Sequence, residues 1–159
     1  MVWGVENNMK EKEKIAALFE AFYGGDCWIG LNFKQAIEGV NENLAAKSLG
    51  EGHNSIWQLV SHLIYWRKTV LIRLVGVLGT PSMSDFYQPA HTDRQAWEEV
   101  LAQFRDVQEE LVKVIRQFPE EKMDEPSPMK SQTYYQLLTG CLQHDAYHMG
   151  QIILLKKML

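Results

Sequence analysis

Cysteine is scarce in this chain. Its two, Cys27 and Cys141, cannot build the framework of bridges that holds small secreted domains together, so free thiols in a reducing compartment are expected. Long hydrophobic runs are missing as well. No apolar stretch approaches the roughly 20 residues of a membrane span, and the opening MVWGVENNMKEKEK lacks the apolar block of a signal peptide. A cytoplasmic protein with no membrane partner is expected. Nor is there an excess of positive charge: Lys and Arg total 16 against 20 Asp and Glu, for a net charge of −4. With these cations scattered, no surface is set up to neutralise phosphates, and nucleic acid is not an expected partner. Internal repeats, low-complexity tracts and the alternation of a β-strand are also absent.

What is present is ordinary globular composition over 159 residues, 46% of them hydrophobic and 23% charged. That predicts one domain, residues 1–159, with residues 1–8 as a flexible tail. A domain of this size buries roughly 70% of the surface its unfolded chain exposes, so it needs no structural metal for stability. A metal here would need a functional reason.

Hydrophobic periodicity is helical nearly throughout. Ile15, Leu18, Phe19 and Phe22 form a stripe from about residue 9 to 23, stopped by Gly24 and Gly25. Residues 26 to 53 are broken by four glycines, yet Phe33, Ala36, Ile37 and Val40 keep helical spacing, which predicts a connection with one or two short helices. Ser55 with Gln58 reads as a capping box opening a long helix through Leu63, Trp66, Val70, Leu74 and Leu78, closed by Gly79 and Pro81. Thr92 with Gln95 reads as a second box, opening a helix that Pro119 ends. The last helix is expected from about residues 131–133 almost to Leu159, with Lys156 and Lys157 suited to its negative C-terminal end. Four amphipathic helices without strands predict an all-α four-helix bundle with a long connection between its first two helices.

Against this background HDAYHMGQ, residues 144–151, raises a chemical question. At about 100° per residue, Leu137, Cys141, His144, His148 and Ile152 share the buried face of the last helix. Two inward imidazoles one turn apart can bind the same ion, and leaving both buried without partners would cost several kcal/mol. Bundle metal sites draw ligands from facing helices, and His62 lies in the inward stripe of the helix that Ser55 opens. Three neutral imidazoles with open positions would suit a catalytic rather than a structural ion. A lone inward histidine such as His62 is more often a hydrogen-bonded core residue than a ligand; the pair on one face, joined by a third on another helix, favours the metal. His53 and His91 are read as solvent-facing.

HDAYH has the form of the zinc-protease helix H-E-x-x-H with Asp145 in the place of the glutamate, which makes Asp145 a candidate general base. Aspartate is one methylene shorter, so a structural role, or one orienting a histidine, is the favoured reading. Cys141 and the aromatics Trp57, Tyr65, Trp66 and Tyr147, with Met149, are read as packing residues. Arg67, Lys68 and Arg73 are read as a solvated face, and Gly140 and Gly150 as positions where another backbone comes close.

Three stretches give the chain a family likeness: HNSIWQLVSHLIYWR (53–67), HDAYHMGQI (144–152) and the looser CWIGLNFKQAIEGVNENLAAKS (27–48). Over about residues 10–158 the chain resembles the DinB-like superfamily of bacterial four-helix bundles. The resemblance implies an up-down-down-up bundle, commonly a homodimer. It also implies a divalent ion, such as nickel, zinc or iron, held by residues corresponding to His62, His144 and His148. Some members transfer low-molecular-weight thiols such as bacillithiol or mycothiol to electrophiles, and others are described as metal-dependent hydrolases. The expected function is therefore a metal-dependent transferase or hydrolase acting on a small-molecule substrate. The alternative is a non-catalytic stress-response protein that binds metal or a small ligand.

Overall fold

The computed structural model describes residues 9–159; the tail expected at residues 1–8 lies outside the described residues. The described residues form six α-helices: α1 (Glu11–Gly24), α2 (Phe33–Ile37), α3 (Glu42–Ala46), α4 (Ile56–Leu74), α5 (Arg94–Gln117) and α6 (Tyr134–Met158), with a 3-10 turn at Glu120–Lys122. No strand occurs among the described residues beyond an isolated bridge between Pro126 and Thr133. Among the described residues, no helix is long and apolar enough to cross a membrane.

Local chemistry accounts for most boundaries. Ser55 and Gln58 form the expected reciprocal box at the start of α4, Ser55 Oγ accepting from the Gln58 amide at 3.1 Å and Gln58 Oε1 from the Ser55 amide at 2.9 Å. Thr133 and Gln136 do the same for α6. At α5 the expected Thr92–Gln95 box does not form: Asp93 is the cap, its Oδ1 accepting from the Ala96 amide at 2.9 Å. A carboxylate is the stronger acceptor at the positive end of a helix. The α4 helix stops at Leu74, a full turn before the expected Gly79. Gly76 takes φ +85°, its amide donates to Arg73 O, and the Val77 amide donates back to Ile72 O. This pattern of a left-handed glycine closing two carbonyls ends a helix, and it leaves Leu78 outside at 66% exposure. Leu18 is also outside, because Ala16 and Phe19 shift the buried face of α1 away from it. Lys156 and Lys157 lie in the last turn of α6, as expected, and Lys156 also serves the C-terminal end of α2, donating to the carbonyls of Ala36 and Glu38.

The long helices pack in a ring, α1 on α5, α5 on α4, α4 on α6 and α6 on α1. Their apolar faces form two clusters, one around Trp57, Leu63, Phe104 and Ile152 and the other around Phe19, Leu111, Ile115 and Leu138. Where the clusters meet lies a polar layer with one residue from each long helix. Arg67 of α4 donates through Nε and Nη2 to Asp145 Oδ2 of α6, at 3.0 and 2.8 Å. Its Nη1 donates to Gln108 Oε1 of α5, and Gln108 Nε2 donates to the carbonyl of Phe19 in α1 at 3.0 Å. Arg67 and Asp145 are both 0% exposed, and the rings of Phe19, Phe22 and Phe104 surround the guanidinium. The solvated face expected for Arg67 is thus corrected. Val60, Ile64, Arg67, Val70 and Leu74 follow the three- and four-residue steps of the buried stripe, so helical period carries this charge inward, where Asp145 meets it.

Candidate metal centre

One step along the helices from this layer, α4 and α6 bring three histidines together. Ring centres are 4.9 Å apart for His62 and His144, 4.5 Å for His62 and His148, and 4.5 Å for His144 and His148. One nitrogen from each lies within 4.8 Å of the others, a grouping that could hold a metal ion. His62 Nε2 and His144 Nε2 are 3.0 Å apart. Two imidazoles bound to one ion at 2.0–2.1 Å hold their nitrogens about 3 Å apart, so this spacing suits a shared ion. His62 and His148 are buried, and the His144 side chain is 28% exposed.

The opposite ring nitrogens explain why the Nε2 atoms face one another. His62 Nδ1 lies 2.6 Å from Asp85 Oδ1, and His148 Nδ1 lies 2.7 Å from Gln151 Oε1. Both oxygens accept, so each histidine carries its proton on Nδ1 and keeps a bare lone pair on Nε2. Burial, the largest influence, lowers the pKa of both His62 and His148, against smaller raising effects of Asp85 and Gln151. Both rings are thereby held in the neutral form that ligates metals. His144 Nδ1 is buried without a partner, as is Asp145 Oδ1, and the two are 3.9 Å apart.

Asp85 was not visible as a site residue in the sequence, since it sits in an irregular loop with no periodicity to orient it. The loop between α4 and α5 is anchored where Ser55 Oγ donates to Gln88 Oε1. Asp85 Oδ1 also accepts from the Phe86 amide at 2.9 Å. Phe86 itself takes φ +49°, a conformation costing a non-glycine residue of order 1–3 kcal/mol. In it the phenyl ring stacks on His62, with centres 3.8 Å apart and planes 12° from parallel.

Asp145 lies beside the cluster in sequence but turns its carboxylate into the polar layer. Fully buried and bonded to Arg67, it is not positioned to take a proton from a bound substrate. Cys141 is buried as expected, and burial, with a smaller contribution from the Asp145 charge, pushes its thiol pKa well above the usual value. Trp57 and Met149 are core residues, but Tyr147 is 65% exposed, so its packing role is corrected. His53 and His91 are exposed. The close backbone neighbours expected at Gly140 and Gly150 are also absent: a Cβ at either would meet nothing within 4 Å.

A cleft of about 440 Å³ opens beside His62 and His144, with Trp66, Gly140 and Cys141 in its wall and Arg73 within its lining. Arg73 therefore departs from the solvated face expected of it, whereas Lys68 stays half-buried outside this lining.

Among known families, the model of the DinB superfamily matches residues 32–152, a span that holds all three histidines and Asp85. No curated protein matches the chain.

Proposed function

This chain belongs to the DinB superfamily, and we propose that it is a metal-dependent enzyme in which His62, His144 and His148 hold one divalent ion, of the nickel, zinc or iron kind. The observation supporting this is that one ring nitrogen from each lies within 4.8 Å of the others, with His62 Nε2 and His144 Nε2 3.0 Å apart, while Asp85 and Gln151 occupy the Nδ1 positions of His62 and His148. A divalent ion there would supply Lewis acidity, lowering the pKa of a thiol or water drawn to it. The protein's own groups do the rest. Asp85 and Gln151 fix the tautomers of His62 and His148, Phe86 shields one face of His62, and the neighbouring cleft admits the substrate beside His144.

Between the two reactions implied by the family likeness, the enclosure of Asp145 favours thiol transfer over hydrolysis. Hydrolysis of the zinc-protease kind relies on a carboxylate that can reach the attacking water, and Arg67 holds this one away. In transfer, the thiol sulfur forms a bond to the electrophilic carbon of the second substrate, whose leaving group departs with the thiol proton. We extend the reading to a single up-down-down-up bundle domain, acting as a cytoplasmic homodimer on a low-molecular-weight thiol.

Metal analysis of protein purified without an affinity tag tests the site. We expect about one ion per chain in the wild type and its loss in His62→Ala, His144→Ala and His148→Ala. Metal-free protein throughout, with unaltered folding of the variants, overturns the proposal. Turnover of a bacillithiol-type thiol with an electrophile, and its absence with ester and amide substrates, separates transferase from hydrolase; metal binding without turnover of either supports the non-catalytic binding protein.

A further inference from the structure

The cleft beside the histidines has an electrostatic character that the metal site does not use. On α4, His62, Trp66, Val70 and Arg73 follow one another at steps of four, four and three residues and share one face. The guanidinium carbon of Arg73 lies 5.7 Å from the centre of the Trp66 ring. That ring is 6.2 Å from His62 and 5.8 Å from His144. One indole thus separates a cation from the imidazoles.

Arg73 takes no part in the ion pairs found among the described residues. Its Nε is buried without an acceptor, and so is Trp66 Nε1. A buried donor left unpaired is unfavourable, and a guanidinium more so than a neutral group. Across the cleft, Gly140 lies within α6, about two turns from its start, where glycine weakens a helix. No neighbour demands it, for a side chain there would point into open space. A molecule occupying the cleft would account for both the unpaired donors and the missing side chain.

Resting on the function proposed above, we infer that this cleft is the substrate subsite and that it takes a small amphipathic monoanion. Its carboxylate engages Arg73, and its apolar body lies along Trp66 toward His62 and His144. The planar guanidinium fork matches a carboxylate. One guanidinium balances one negative charge, whereas a phosphate dianion would bring a second, unpaired charge among apolar walls.

The test is titration calorimetry on metal-free protein, so that no ion can attract the probes. The probes are 4-phenylbutyrate, its uncharged counterpart 4-phenylbutan-1-ol, and phenyl phosphate. We expect the carboxylate to bind the wild type about tenfold more tightly than the alcohol. Arg73→Gln should abolish that preference while helix content and metal uptake stay unchanged. Gly140→Leu, whose Cβ would meet nothing within 4 Å and whose side chain would extend into the cleft, should remove binding of both carboxylate and alcohol. Equal affinity for acid and alcohol, an unaltered preference in Arg73→Gln, tighter binding of phenyl phosphate, or no binding of any probe overturns the inference. Metal uptake is read on the same samples: a carboxylate preference in protein that takes up no ion supports the anion cleft and removes only the metal site.

Discussion

Asp145 and His144 are adjacent in sequence, yet the carboxylate of Asp145 is given over to Arg67, its Oδ2 receiving two N–H bonds at 3.0 and 2.8 Å. The pair joins α4 to α6, the two helices that carry the three histidines. Holding those helices in register one step from the cluster is a mechanical contribution to the site, made by a residue that sequence analogy offered as a base.

That buried pair predicts strong non-additivity. Arg67→Met and Asp145→Leu, each alone, should destabilise the protein by about 3–5 kcal/mol, because each strands a charge in the core. The double variant should be far less destabilised than the sum. Urea denaturation of the four proteins measures the coupling; single variants each costing under about 1 kcal/mol would show that the charges are not truly enclosed.

Asp85 acts on the site through the His62 ring. Asp85→Ala should weaken metal affinity about 10- to 100-fold, read by competition with a chromophoric chelator. Global stability should change little, as Asp85 lies in a loop with its side chain 35% exposed. Asp85→Asn, which keeps an acceptor for Nδ1–H, should retain more affinity than the alanine variant.

The two thiols should differ sharply in reactivity. Cys141 is buried with its pKa raised by desolvation, and only the thiolate reacts. In native protein at pH 8, a thiol reagent should therefore modify the partly exposed Cys27 and leave Cys141 untouched until denaturant is added, as mass spectrometry of the digested protein would show. Rapid native labelling of Cys141 would contradict this burial.

Two glycines should respond to alanine with opposite signs. At Gly76, φ +85° strains any side chain, so Gly76→Ala should destabilise by about 1 kcal/mol. At Gly150, exposed within α6 and without a neighbour within 4 Å, Gly150→Ala should stabilise by up to about 1 kcal/mol. Thermal unfolding of the two variants decides the matter.

Elements with a local cause are legible in the sequence. The Ser55–Gln58 cap is read from local cap chemistry, the start of the last helix near residues 131–133 from the end of a Pro-containing loop, and the inward aim of His62, His144 and His148 from helical period. Readings failed where two local signals competed, as with Thr92 against Asp93, or Gly79 against Gly76. They also failed for Arg67, because residue type outweighed a period that already placed it among Val60, Ile64 and Leu74.

By itself, then, the sequence determined an all-helical chain with three imidazoles on buried faces, since caps and a repeat of 3.6 residues depend only on near neighbours. Tertiary structure alone decided that Asp145 belongs to Arg67, 78 positions away, that Asp85 crosses from a loop to orient His62, and that Arg73 faces a cleft. The reason is physical: the partner of a buried polar group is set by which helices pack together and where an aperiodic loop is anchored, and neither is encoded in the spacing of residues along one helix.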